Sequence, residues 1–171
     1  MSVPAAGGAP KEVAKVDFAK GERQHKYPCA LPGGTAVLVT MSTADTATFD
    51  EARILAFSPR TGGRRVLVEG GTQPRYSSGY LLYAHDGKIL AVRFALDRLE
   101  VLGQPFTALE GIQMSRNTGV ANFDVSARDL ADVSGICDGG RADCRMGGSK
   151  RQGRTGLSGD EIVPSSEAIA R

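Results

Sequence analysis

The fold is decided by the stretch Tyr80-Leu-Leu-Tyr-Ala-His-Asp-Gly-Lys-Ile-Leu-Ala-Val-Arg-Phe94. Two runs of apolar and aromatic residues, which favour β-strands, flank the pair Asp86-Gly87. Both residues of that pair tolerate a positive φ, and an Asp-Gly pair between such runs is the strongest short-range signal for a β-hairpin. The stretch therefore predicts two antiparallel strands joined by a two-residue turn.

Similar short apolar runs lie on both sides of this hairpin. The first follows Leu31-Pro-Gly-Gly34, where Pro and then Gly stand as a type II turn requires. Helical spacing is weak throughout, so the sequence predicts an all-β fold of short antiparallel strands. The further predicted strands are 35–40, 52–57, 65–69, 99–102 and 106–109.

The strands recur with a period near 40 residues. The run that begins at Ile54 recurs at Leu90, 36 residues later, and the one at Val68 recurs at Leu109, 41 residues later. This period is typical of propeller blades, although a β-sandwich stays open on the same evidence. The repeat favours an incomplete β-propeller of about two to three antiparallel blades.

The composition changes near residue 127. All ten aromatic residues lie between Phe18 and Phe123, and the segment 128–171 combines eight glycines with scattered charges. Such a segment buries too little apolar surface to offset roughly 1–2 kcal/mol of backbone entropy per residue. We therefore expect an incomplete N-terminal blade segment over 1–19, propeller blades over 20–127 and a disordered C-terminal tail over 128–171.

The charge balance and the cysteine count exclude several classes of protein. Twenty-one Lys and Arg against nineteen Asp and Glu give a net charge of +2, too balanced for a protein that coats nucleic acid. The three cysteines are too few for a disulfide framework. No stretch approaches the roughly 18 apolar residues of a membrane span, and no signal peptide is recognisable, so the chain as written is expected in the cytoplasm.

Several segments, taken together with the hairpin, carry a family resemblance. They include Gly21-Glu-Arg-Gln-His25, Thr61-Gly-Gly-Arg-Arg-Val-Leu-Val-Glu-Gly-Gly71, Arg75-Tyr76 and Leu99-Glu-Val-Leu-Gly103. This set resembles the TolB-like, WD-repeat-like β-propeller that follows the kinase domain in many bacterial eukaryotic-type serine/threonine protein kinases. The resemblance implies a non-catalytic module, usually extracytoplasmic, that binds a protein partner or a small ligand at the propeller face.

The resemblance ends after Ala127. When the reading frame is shifted downstream by one nucleotide, the codons for Met146-Gly147 contain a tryptophan codon. In the same shifted frame, the codons that follow can encode Val-Asp-Arg, which the family shows at this place. We therefore hypothesise that a frameshift near Arg128 places the tail out of frame. A fragment of this kind leaves apolar blade faces uncovered at its ends, so we expect marginal stability or self-association through those faces.

Three residues are candidates for partner binding, namely Arg75, Tyr76 and Tyr80. An exposed Arg–Tyr pair at a blade rim can anchor a partner, whereas the competing interpretation packs these tyrosines between blades. A hydrolase or metal site would need His25 and His85 to converge, and nothing in their spacing favours it. The sequence predicts no catalytic residue, no metal and no cofactor, because kinase and hydrolase motifs are missing.

Two other functions stay open from the sequence. The chain could be the accessory propeller of a prolyl-oligopeptidase-like serine hydrolase, or a small β-domain whose basic tail binds RNA. The tail lacks aromatic residues for base stacking and carries acidic neighbours, so specific nucleic-acid binding is not expected. Its basic residues are Arg141, Arg145, Lys150, Arg151 and Arg154, and its cysteines, Cys137 and Cys144, have neither zinc-site nor redox spacing.

Overall fold

The structure is a computed structural model that describes residues 1, 3–125, 132–137 and 140–145, with the backbone alone at 132, 137 and 141–145. The described chain forms eleven β-strands. None of its helical turns has the length and apolar character of a membrane span. The strands are β1 (Glu22–Ala30), β2 (Val37–Thr43), β3 (Arg53–Phe57), β4 (Arg64–Glu69), β5 (Thr72–Ser77), β6 (Tyr80–His85), β7 (Lys88–Ala95), β8 (Glu100–Glu110), β9 (Phe123–Val125), β10 (Asp132–Cys137) and β11 (Gly140–Arg145). Short 3-10 turns lie at Phe18–Lys20, Pro32–Gly34 and Phe49–Glu51.

The strands form three antiparallel sheets that follow one another along the chain. Sheet 1 contains β1–β4, sheet 2 contains β5–β8 and sheet 3 contains β9–β11, each ordered as in the sequence. The predicted all-β class is confirmed. The predicted hairpin is confirmed as well, because His85 pairs with Lys88 across a turn in which Asp86 has φ 46° and Gly87 has φ 70°.

Two apolar layers hold the sheets together. The first lies between sheets 1 and 2 and includes Leu38 and Leu81, and the second lies between sheets 2 and 3 and includes Leu82 and Val133. All four side chains have no exposed surface. Because consecutive residues of a strand point to opposite faces, the run Leu81-Leu82 supplies both layers. Sheet 2 is therefore apolar on both faces.

Strands β1 and β5 were not predicted, because their sequences are polar. β1 contains Pro28 and a bulge between Lys26 and Cys29, with Tyr27 at φ 52°. β5 begins with Thr72-Gln-Pro, and its side chains bind specific backbone groups instead of forming an apolar run. The predicted runs 99–102 and 106–109 form the single strand β8, which is bulged around Gly103 at φ 78°.

The expectation of a disordered tail is wrong for residues 132–137 and 140–145, which form β10 and β11. Val133 is completely buried, and a methyl group on Gly135 would come within 2.5 Å of Ile112. The amide of Ile136 donates to the carbonyl of Asn122 at 2.9 Å. A strand added to an existing sheet gains such backbone bonds without large side chains, which composition does not reveal. Residues 126–131, 138–139 and 146–171, including Lys150, Arg151 and Arg154, lie outside the described residues.

The outer faces of the two end sheets differ. On sheet 1, Val39, Met41 and Leu55 form a small cluster and are only 3–7% exposed. On sheet 3, Ile136 is 51% exposed. The expected exposure of apolar end faces is therefore wrong for the cluster on sheet 1.

Candidate interaction surface on sheet 2

The three candidate partner-binding residues do not share one face of sheet 2. In the β5–β6 hairpin Arg75 pairs with Leu82, Tyr76 with Leu81 and Ser77 with Tyr80. Paired residues of an antiparallel ladder point to the same side, so Arg75 and Tyr80 face sheet 3 together with Leu82. Tyr76 points to the opposite side, toward sheet 1.

Tyr76 packs in the layer between sheets 1 and 2. Its ring meets Phe94 edge to face, with centroids 6.0 Å apart and planes at 70°. Tyr80 packs against the edge of the other layer, beside the buried residues of sheets 2 and 3. Both tyrosines thus contact a layer between sheets, and partner binding by Arg75, Tyr76 and Tyr80 stays a prediction.

Two neighbouring rows of sheet 2 bring a group of polar and aromatic side chains together. One row runs Arg75, Leu82, Ala91, Phe106 and the next runs Ser77, Tyr80, Arg93, Leu102. Arg75, Tyr80, Arg93 and Phe106 therefore lie at the same end of the face toward sheet 3, and we call them the arginine–aromatic surface. From the usual spacing of strands and residues, the Cα atoms of the two arginines are about 12 Å apart.

The rings and guanidinium groups of this surface contact one another. The rings of Tyr80 and Phe106 meet edge to face at 6.1 Å and 89°. The Arg93 guanidinium lies 5.7 Å from the centre of the Tyr80 ring, and that of Arg75 lies 5.9 Å from the centre of the Phe123 ring on sheet 3. Such cation–π contacts fix the orientation of a guanidinium and leave N–H donors available to a ligand.

The two arginines differ from several others in the molecule. Among the side chains that the structure describes, no carboxylate oxygen lies within 4 Å of the Arg75 or the Arg93 guanidinium. Arg64, by contrast, lies 2.5 Å from the carboxylate of Glu22, and Arg65 lies 3.0 Å from that of Glu100. Within the described part, the surface thus carries two positive charges without acidic partners. Arg75 also donates one hydrogen bond, of 3.0 Å, to the backbone carbonyl of Pro74.

Apolar side chains border these charges. Phe106 is 47% exposed, and Leu102, in the row of Arg93, is 41% exposed. The centres of protein interfaces are enriched in aromatic, apolar and arginine side chains, and this surface exposes the same types together.

Arg93 and Phe106 were missed at the sequence level, although one signal was present. Alternation along β7 places Ile89, Ala91 and Arg93 on one face, so the arginine interrupts an apolar face that is otherwise regular. Phe106 could not be found in this way, because the bulge in β8 changes which residues face sheet 3.

The two histidines lie on different sheets. His25 on β1 contacts the carboxylate of Glu22, with Nε2 3.2 Å from Oε2, and His85 ends β6. Within the described part of the chain, the Nδ1 atoms of both rings are buried without a hydrogen-bond partner, and no cluster of three His, Cys, Asp or Glu could hold a metal ion. The structure does not bring the two histidines together.

The two C-terminal cysteines are separated by the register of their strands. Cys144 of β11 pairs with Val133, four residues before Cys137 on β10. Four residues of a strand span about 13 Å, which exceeds the Cα distance of a disulfide.

Comparison of the chain with protein-family models, with curated proteins and with solved structures finds no match.

Proposed function

We propose that this chain is part of a β-propeller and serves as a non-catalytic interaction module of a bacterial serine/threonine kinase. The observation that carries the proposal is the stacking of two consecutive four-stranded antiparallel sheets through one continuous apolar layer. A propeller blade is a four-stranded sheet, and blades pack face to face around an axis. The kinase association depends on the resemblance of the segments between Gly21 and Gly103.

The arrangement of the first strands supports this proposal. β5, the first strand of sheet 2, lies against β1 and β2 of sheet 1. The Gln73 amide donates to Thr40 Oγ1 at 3.0 Å, and the Gln73 side chain binds the Ala121 backbone through bonds of 2.9 and 2.8 Å. Thr72 Oγ1 donates to the Gly119 carbonyl at 3.1 Å. The start of sheet 2 therefore joins its two neighbours, as the inner strand of a propeller blade does.

The outer face of sheet 3 is where a following blade would pack. A groove of about 320 Å³ lies there, next to the exposed side chain of Ile136. The groove is lined by Asn122, Phe123, Asp124, Ser134, Gly135 and Ile136. The proposal assigns this face to the next blade and the arginine–aromatic surface to a partner.

The DNA on both sides of the coding region tests the kinase association and the reading-frame hypothesis. We expect a kinase catalytic domain upstream in frame, and strand-forming sequence downstream of codon 128 in the shifted frame. A hydrolase domain instead of a kinase, or an early stop in the shifted frame, would contradict the corresponding part of the proposal.

The propeller itself is tested by extending the chain. A protein that continues in the shifted frame after residue 127 replaces β10, β11 and the buried Val133 with the sequence of that frame. It should be monomeric and should melt at a higher temperature than the 171-residue chain, because that sequence completes sheet 3 and covers its outer face. An extended protein that aggregates, or that melts no higher, would contradict a propeller.

A further inference from the structure

We propose that the arginine–aromatic surface binds an extended acidic segment of a partner protein, with two carboxylates on either side of a large apolar residue. This inference rests on the proposed role of the chain as an interaction module. It adds the chemistry of the partner and the residues that recognise it.

Arg75 and Arg93 are spaced so that each can bind a different carboxylate of one extended peptide. Their Cα atoms lie on strands two apart and on neighbouring rows, which gives about 12 Å between them. In an extended peptide, residues i and i+4 point to the same side and lie about 13 Å apart. Acidic residues at i and i+4 can therefore reach Arg75 and Arg93 at the same time, each through charge-assisted hydrogen bonds.

The residue between the two acids meets the aromatic part of the surface. Residue i+2 of such a peptide points to the same side as its two acids. Tyr80 lies between the two arginines on the intervening strand, and Phe106 contacts its ring edge to face. A leucine or phenylalanine at i+2 would cover Phe106, which is 47% exposed.

The apolar border distinguishes a peptide from a free anion. Ion pairs at exposed positions contribute little, because water and salt screen them. Burial of Phe106 adds a favourable term that a phosphate or acetate ion cannot supply. A base could stack on the exposed Phe106 ring, so a competing oligonucleotide is included in the test to distinguish nucleic acid from a peptide.

Fluorescence anisotropy with a labelled peptide, Gly-Glu-Ser-Leu-Ser-Glu-Gly, tests the inference on the full 171-residue chain. We expect saturable binding at peptide concentrations below about 1 mM. A peptide with glutamine for both glutamates should bind at least about tenfold more weakly, and one with serine for leucine about threefold more weakly. Phosphate ions and an eight-nucleotide oligothymidine serve as competitors and should not displace the peptide at equal concentration.

Variants locate the binding site. Arg75→Gln and Arg93→Gln should each weaken peptide binding about five- to tenfold, since each removes one charge-assisted contact. Arg60→Gln is the matched control, because Arg60 is exposed on the loop between β3 and β4 and belongs to neither row. Thermal unfolding of each variant shows whether a lost affinity follows from lost folding.

Several results would overturn the inference. They are the absence of saturable binding, equal binding of the glutamine peptide, displacement by oligothymidine, and affinity that is unchanged in folded Arg75→Gln and Arg93→Gln. None of these depends on whether a following blade completes the fold. The chain-extension experiment can therefore fail or succeed independently of this one.

Discussion

The two faces of sheet 2 are built from the same strands and do different things. Toward sheet 1, the face carries His85 and the exposed Lys88 at the Asp86-Gly87 turn and is apolar beyond them, as far as the aromatic pair Tyr76 and Phe94. Toward sheet 3, it is apolar only near the Asp86-Gly87 turn and ends in Arg75 and Arg93. Each face thus combines packing residues with polar or charged ones, which lie at the turn on the face toward sheet 1 and at the opposite end on the face toward sheet 3.

The difference lies in single alternating positions. Phe94 and Arg93 are neighbours on β7, yet Phe94 is 4% exposed in one layer and Arg93 is exposed on the other face. Burial of Arg93 without an acidic partner would be unfavourable, whereas Arg75 keeps its guanidinium against the Phe123 ring of sheet 3. Within the described residues, the charged end of this face is therefore less covered than its apolar end near the turn.

Substitutions in the two apolar layers should have the largest effect on the free energy of unfolding. Leu81→Ala and Leu82→Ala should each lower the free energy of unfolding by about 2–5 kcal/mol, because both side chains are completely buried. Chemical denaturation of the two variants measures this. A loss below about 1 kcal/mol for Leu82→Ala alone would show that sheet 3 does not pack on sheet 2, and would break the comparison.

A second effect concerns the loop that leads into sheet 3. Gly119 has φ 78°, and a methyl group there would lie 2.6 Å from the Phe49 ring and 2.7 Å from Thr72 Oγ1. Gly119→Ala should destabilise the protein by about 2–4 kcal/mol, from backbone strain together with overpacking. The control Gly79→Ala has φ 82° in open space, so it should cost only about 1–2 kcal/mol. Equal losses would show that the loop is not packed against sheets 1 and 2.

Replacement of Gln73 should cause a smaller loss in the free energy of unfolding. Its replacement by alanine leaves the backbone N–H and C=O of Ala121 without their side-chain partners, and both bonds are buried. We expect a loss of about 1–3 kcal/mol in thermal or chemical unfolding. If Gln73→Ala is as stable as the unaltered protein, the inner ends of sheets 2 and 3 are not joined by this residue.

The smallest effect is a dependence on pH at the start of sheet 1. Burial of the Glu22 carboxylate raises its pKa. Hydrogen bonds from the Asp17 amide and from Arg64, together with the positive charges of Arg64 and His25, lower the pKa by more than burial raises it. The pKa of Glu22 therefore lies below its ordinary value of 4.5. A lowered pKa stabilises the folded state above the unfolded value, and this stabilisation disappears as the pH falls through the folded pKa. Stability measured from pH 6 to pH 3 should fall less steeply in Glu22→Gln. Parallel curves would contradict the role of this carboxylate.

The sequence predicted the strands whose side chains form the layers and missed those that depend on specific bonds. Alternating apolar residues revealed β6 and β7, and Asp86-Gly87 revealed their turn. β1 and β5 are polar, and β10 adds to its sheet through backbone groups and the small residue Gly135. Two of the four residues of the candidate surface, Arg75 and Tyr80, were predicted from the sequence as partner-binding residues, and that role stays a prediction. Arg93 and Phe106 needed the register of three strands.

Hydrogen exchange along sheet 2 is the sharpest test of whether a neighbouring sheet encloses it on each face. We expect the amides of Leu81, Leu82 and Val92 to exchange slowest, at a rate set by global unfolding, and those of the edge strand β4 to exchange faster. Exchange of these three amides as fast as that of Arg65 and Val66 in β4 would contradict this enclosure.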